Sequence, residues 1–184
     1  MLNRGFSLVE VIIVCAIIAT FSVALILNFR AFPKNRIGRS QVASVVESDV
    51  RRMQAMAFAG SRFQGASVCG YGIHYNTITS YILYAGVLGG GITQCQNSNH
   101  NYQAGVDLIV ETKNLPNSNM QIRSAFSDVF FESPDPKTYI NNNPLLTGNP
   151  ITITIELRGQ VNCNQQSCTD VVVYPTGRIN LINN

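Results

Sequence analysis

Charge is scarce in this chain: only 12% of the residues are charged and the formal net charge is +3. A balance that small gives no argument for a dedicated nucleic-acid binder. Nucleotide-cradling glycine motifs are also lacking, because the glycines of GVLGGGITQ are not set between a strand and a helix start; they read as a flexible loop. Paired C-x2-C knuckles are absent, and His74 and His100 follow no ligand rhythm, so zinc is the weaker competitor for the cysteines and no metal or cofactor is expected. Neither Ser67-Val68-Cys69-Gly70 nor FFESPDPKTYI supplies a nucleophile elbow or a metal-ligand pattern. Catalysis and a small-molecule substrate are therefore not expected. Pro134 and Pro136 read as shaping a rigid loop beside the strand that ends at Glu132.

What the chain does have is a long apolar run near its start. From Phe6 to Leu27 there are 22 residues, and Glu10 is the only charged one. At ~1.5 Å per residue a helix of that length reaches ~33 Å, enough to cross a bilayer. A secretory signal peptide is the competing reading, with Arg4 as its basic end. The run is longer than such a core usually is, and no small-x-small cleavage site followed by a polar start closes it. Within a bilayer the carboxylate of Glu10 would cost roughly 2.5 to 3.5 kcal/mol on insertion scales, so it calls for a reason.

The stretch Gly5-Phe6-Ser7-Leu8-Val9-Glu10, preceded by the short leader Met1 to Arg4 and followed by the apolar run, resembles the class III signal of type IV pilins and pseudopilins. The resemblance implies cleavage after Gly5 by a membrane-embedded prepilin peptidase, methylation of the new N-terminal residue Phe6, and a requirement for Glu10 at the fifth mature position. It also implies an ion pair between Glu10 of one subunit and the Phe6 amine of its neighbour in a filament. The spacing suits this chemistry, since residues four apart share a helix face and a carboxylate in the first turn meets the positive end of the helix dipole. The alternative is a glutamate that snorkels to the interface of a simple membrane anchor. The partners implied are the peptidase, other pilin or pseudopilin subunits, an inner-membrane assembly platform and membrane lipid. On charge count, Arg30, Lys34, Arg36 and Arg39 outweigh the leader and would keep the C-terminal domain in the cytoplasm. The resemblance implies the reverse, a single-pass protein with an exported domain that ends in a surface or periplasmic filament, and that orientation is adopted.

Beyond the run, Pro33 should interrupt the helix and Gly38 weaken it. Val42, Val45, Val46, Val50, Met53 and Ala57 then recur at three- and four-residue steps, which predicts an amphipathic helix laying one apolar stripe on the domain that follows. Arg51-Arg52 reads as a solvated face. The remainder alternates as strands do, over Tyr71 to Tyr75, Ser80 to Ala85, Val106 to Thr112, Met120 to Phe126, Asp128 to Glu132, Ile151 to Arg158, Asp170 to Tyr174 and Arg178 to Leu181. Short turns and the absence of intervening helical patterns favour antiparallel pairing over a parallel sheet. The expected fold is α+β: a leader over 1–5, a transmembrane helix over 6–27, its amphipathic continuation over 28–59, and an antiparallel β domain over 60–184. Gly86 to Gly105 and Asn141 to Pro150 read as surface loops.

Cys15 lies in the apolar run, where a small apolar side chain is reason enough. Cys69 with Cys95, and Cys163 with Cys168, are the natural disulfides by proximity, although four cysteines allow three connectivities. An even count in a domain expected to be exported favours bridges over free thiols.

Among pilin-like proteins the chain is most similar to the GspH and FimT group of minor pseudopilins and minor pilins. The QVASVVESDVRRMQAMA helix entering a β-only domain and the final hairpin ending VVVYPTGRINL carry that similarity. In the FimT branch a C-terminal Gly-Arg-x-Arg contributes to DNA binding during uptake. Here Gly177-Arg178-Ile179-Asn180 keeps Arg178 and has Asn180 in place of the second arginine, which halves the charge. The leading expectation is a structural minor subunit of a type IV pilus-like or type II secretion filament; the alternative is a DNA-binding subunit for uptake, with Arg178 as a contact, and an adhesin or major pilin is the third.

Overall fold

The computed structural model describes residues 8–31, 33–60, 62–87, 94–134, 137–144, 148–160, 162–163 and 167–183, with the side chains of 24–36, 96 and 183 outside that description. The chain divides into two compact units, Met1–Ile37 and Gly38–Asn184.

The first unit holds helix α1, Leu8–Ala31. Its described side chains, Leu8 to Val23, are all exposed, and large apolar ones stand on every side, among them Leu8, Ile12, Ile17 and Phe21. Such a helix has no amphipathic stripe to bury, so it asks for an apolar medium around its whole circumference. Its hydroxyls are already satisfied: Thr20 donates to the Ile17 carbonyl at 2.8 Å and Ser22 to the Ile18 carbonyl at 2.8 Å. Neither side chain therefore needs water. Over the described residues no helix is long and apolar enough to cross a membrane, so the spanning expectation continues to rest on the sequence run Phe6 to Leu27.

Helix α2, Pro33–Ala59, begins on the proline, whose missing N–H costs nothing in a first helical turn. From Gly38 onward it belongs to the second unit, together with the β strands. Val42, Val46, Val50, Met53 and Ala57 are almost fully buried and form the stripe, while Val45 lies on its exposed flank.

The β strands follow: β1 (Arg62–Phe63), β2 (Ala66–Thr77), β3 (Ser80–Val87), β4 (Leu108–Asn114), β5 (Met120–Ile122), β6 (Val129–Glu132), β7 (Thr138–Ile140), β8 (Ile151–Leu157), β9 (Cys168–Val173) and β10 (Ile179–Asn183). All named pairings are antiparallel. One sheet runs β4-β3-β2-β6-β7 with β1 on β2, and the other runs β10-β9-β8-β5. The fold is α+β, a helical start followed by an antiparallel β domain. β4 starts at Leu108 because Val106 is held in a turn by its N–H on the Gln103 carbonyl. β5 stops at Ile122, short of the expected Phe126, and β10 starts after Arg178, not on it.

Alternation assigns the two faces of the first sheet. Tyr71, Ile73, Tyr81, Leu83, Val129 and Phe131 join the α2 stripe and Ile153, Ile155, Val171 and Val173 of the second sheet in the main core. Cys69, Ile82, Tyr84, Phe130 and Tyr139 form a second cluster. Glycines make room for it: a Cβ on Gly72 would lie 2.6 Å from the Tyr84 ring, and one on Gly86 2.8 Å from that of Phe130. A register shift in β2 between Val68 and Gly70 lets Val68 and Tyr71 share the main core while Cys69 joins the other cluster.

Of the expected loop Gly86 to Gly105, Gly86 and Val87 end β3, and 94–105 is irregular with mostly exposed or half-buried side chains, Ser98 and His100 being the exceptions. A short 3-10 turn at Cys95–Asn97 precedes Ser98 and His100, and both side chains are buried. The polar residues read as loop-formers are anchoring the segment to the second cluster.

Candidate functional site

Gly5 and Phe6, the expected positions of cleavage and methylation, lie outside the described residues. Glu10 is the acidic residue in the first turn of α1, and its side chain is exposed. A first-turn carboxylate lies against the partial positive charge of the unsatisfied N–H groups there. The helical positions three and four residues on are Ile13 and Val14, which offer no donor.

The structure joins Cys69 to Cys95 with Cα atoms 5.2 Å apart, and Cys163 to Cys168 with Cα atoms 5.4 Å apart. The first bridge ties β2 to the 94–105 segment across 26 positions, and the second closes a loop of 5. In the loop-entropy model these contribute ~3.5 and ~2 kcal/mol respectively. Cys15 is a free, exposed thiol on α1.

Arg178 closes the turn between β9 and β10 instead of lying in a strand. The turn is fixed by Gly177 N–H on the Tyr174 carbonyl and Tyr174 N–H on the Arg178 carbonyl, both at 2.9 Å. Gly177 has φ 80, a left-handed value that glycine takes without strain. The Arg178 guanidinium lies 4.2 Å from the centre of the Tyr174 ring, a cation–π contact on an exposed side chain. Arg51 of α2 also reaches this hairpin, and it is engaged with Glu47 at 2.8 Å and the Ile179 carbonyl at 2.7 Å. Gln54 donates to the Gly177 carbonyl at 2.9 Å, so α2 grips this hairpin through two polar contacts.

The histidines serve internal contacts. His74 Nδ1 is 2.7 Å from Asp128 Oδ1, and His100 Nδ1 is 2.9 Å from Asn142 Oδ1. Among the described residues no three metal-ligating side chains gather. Sequence reasoning missed the buried carboxylates. Asp49 on α2 accepts from the Tyr81 hydroxyl at 2.6 Å, and burial, then Asp49, pushes that phenol well above its usual range. Glu156 accepts from Arg123 and Gln121 at 2.9 and 2.8 Å. Asp107 takes the Gln103 and Val87 N–H groups, and burial raises its pKa. The only sequence signal for these was an acidic residue interrupting an apolar pattern, which does not name its partner.

The family described as the prokaryotic N-terminal methylation motif matches residues 1–26. No curated protein and no solved structure matches the chain. The match covers Gly5, Phe6 and Glu10 and supports a type IV prepilin-like protein, which implies processing by prepilin peptidase and assembly with other pilins.

Proposed function

We infer that this chain is a structural, non-catalytic minor subunit of a type IV pilus-like or type II secretion filament, of the GspH and FimT kind. On this reading prepilin peptidase cuts after Gly5 and Phe6 is methylated. The run from Phe6 to Leu27 holds the subunit in the membrane before assembly, with the disulfide-bonded domain exported. The observation that carries it is the methylation-motif match over residues 1–26, with Glu10 in the first turn of a helix that is apolar all round. The exposed apolar circumference of α1 supports the rest, because helices of that kind are stable in lipid and, after assembly, against one another.

Mass spectrometry of the mature chain from cells that hold a prepilin peptidase tests it. The expected N-terminus is methylated Phe6. An intact leader, or cleavage elsewhere, would overturn the assignment.

A further inference from the structure

His100 stands in an unusual setting for a residue in a polar segment: it is 2% exposed. Its Nδ1 lies 2.9 Å from Asn142 Oδ1, and the same oxygen accepts the His100 backbone N–H at 2.9 Å. An atom that accepts a backbone N–H is the amide oxygen, so Nδ1 is the ring donor and Nε2 bears the lone pair. Nε2 is buried with no hydrogen-bond partner among the described residues. Tyr139 stacks on the ring at 3.7 Å and Phe130 meets it edge-on at 5.0 Å. A neutral imidazole tolerates such a box. An imidazolium would bury a second N–H with nothing to accept it.

We propose that the 98–103 segment is a proton-operated latch, closed over the second cluster while His100 is neutral and released when Nε2 takes a proton. Release would uncover Tyr84, Phe130 and Tyr139, while Cys69–Cys95 keeps the segment tethered. The proposal does not depend on the filament reading.

The groups around His100 set the sign. From β7 comes Tyr139, and from β6 Phe130 and Glu132, whose carboxylate accepts the Tyr139 hydroxyl at 3.0 Å. From β3, the Tyr84 hydroxyl donates to the His100 carbonyl at 2.6 Å. Asn141 and Asn142 hold left-handed turn positions opposite, with φ 51 and 60. Burial lowers the His100 pKa and outweighs Asn142 and Glu132, which favour the charged ring. Two carboxylates anchor the rest of the segment. Asp128 receives the Tyr102 N–H at 2.6 Å and stands 2.7 Å from His74 Nδ1. Asp107 holds the Gln103 N–H, and protonating it relieves a burial cost. Opening on acidification therefore singles out His100. The closed state binds fewer protons than the open one. The His100 contribution to the closed-to-open ratio is constant above that group's ordinary value of about 6.5, and below it the ratio falls at most about tenfold per pH unit.

Hydrogen exchange of the full-length chain in detergent micelles, expressed as protection relative to intrinsic rates, reads this at the His100 and Tyr102 amides. Between about pH 7.5 and 5.5 wild type should lose protection at both amides, His74→Gln should still lose it, and His100→Phe should not. A flat wild-type profile, a fall retained in His100→Phe, or a fall abolished in His74→Gln would each overturn the proposal. Should His100→Phe not fold, the ring titration of wild-type His100 by NMR decides: a midpoint below that of free histidine supports the latch, and one at or above it overturns it.

Discussion

Removing one hydroxyl tests whether α2 is tied to the β domain by a buried charged hydrogen bond or only by its apolar stripe. Tyr81 is 1% exposed and Asp49 7% exposed, and their oxygens are 2.6 Å apart. Tyr81→Phe keeps the ring in its place, so no cavity opens and the loss is electrostatic. A hydrogen bond to a charged group contributes about 1.5–3 kcal/mol, and a buried carboxylate left without its donor sits at the upper end of that range. With a urea slope of about 2 kcal/mol per molar, the midpoint should fall by about 1.5 M with the slope unchanged. Circular dichroism of the full chain in detergent would record it. A pH series adds an independent check. Because burial and Asp49 raise the Tyr81 pKa, the folded state keeps its proton while the unfolded chain loses it. Stability from this group is thus fully present below about pH 10 and declines as the pH rises above it. Tyr84 is raised by burial in the same way, so Tyr81→Phe should remove only part of that decline. A midpoint shift below about 0.25 M, or an unchanged alkaline profile, would refute the reasoning and assign the docking of α2 to apolar contact alone.

Glu10→Ala should leave the chain in the membrane fraction yet impair methylation of Phe6 or entry into filaments; normal assembly, scored by mass spectrometry and sheared-filament blots, would argue against an intersubunit role. Replacing both cysteines of Cys69–Cys95 with Ala should cost more stability than replacing Cys163–Cys168, about 3.5 against about 2 kcal/mol, and a reversed order in denaturant midpoints would show that strain or packing outweighs loop length. Gel shifts at moderate salt should show no DNA complex, since Arg178 has Asn180 beside it where a second arginine would be needed. A strongly salt-dependent shift lost in Arg178→Ala would restore the DNA-uptake reading.

The α2 stripe was legible because it repeats: five buried side chains at steps of three and four admit one helix face. Val45 was misjudged because its step from Val42 is helical too, and only the neighbouring layers decide where the stripe ends. The strands with β-branched alternation, β8 above all, were readable for the same reason. β7, with its sequence Thr-Tyr-Ile, has too few residues to show a period, and β1 has only two. Within 94–105, whose sequence QCQNSNHNYQAG has the composition of a solvated loop, most side chains are exposed or half-buried as read, but Ser98 and His100 are buried. The segment is held by partners far along the chain, with Asn142 on His100 and Asp128 on Tyr102, and local composition holds no record of such contacts. At the candidate site the position was clearer than in the domain, since Gly5, Phe6 and Glu10 form a linear motif that needs no tertiary partner to be read.

That contrast bears on Glu10 itself. In the second unit the buried carboxylates answer to donors of the same chain: Asp49 to Tyr81, Asp128 to His74 and the Tyr102 N–H, Glu156 to Arg123 and Gln121. A domain that meets the desolvation cost of these three acids so locally shows what such groups require. Around Glu10 the next helical turn supplies only Ile13 and Val14, and Thr20 and Ser22 spend their hydroxyls on backbone carbonyls. In an apolar medium the carboxylate therefore needs a cation from outside the described helix. Cleavage after Gly5 would create one, the Phe6 amine, at the same end of the helix. Its own subunit's amine and a neighbour's are both within the proposal's chemistry, but only the neighbour's fixes axial register between helices whose remaining contacts are apolar and interchangeable. Co-expression with wild type separates them: a subunit with Glu10→Ala should be rescued into filaments by wild-type neighbours less well than its membrane insertion would suggest, whereas a purely internal pair would leave filament entry in step with insertion.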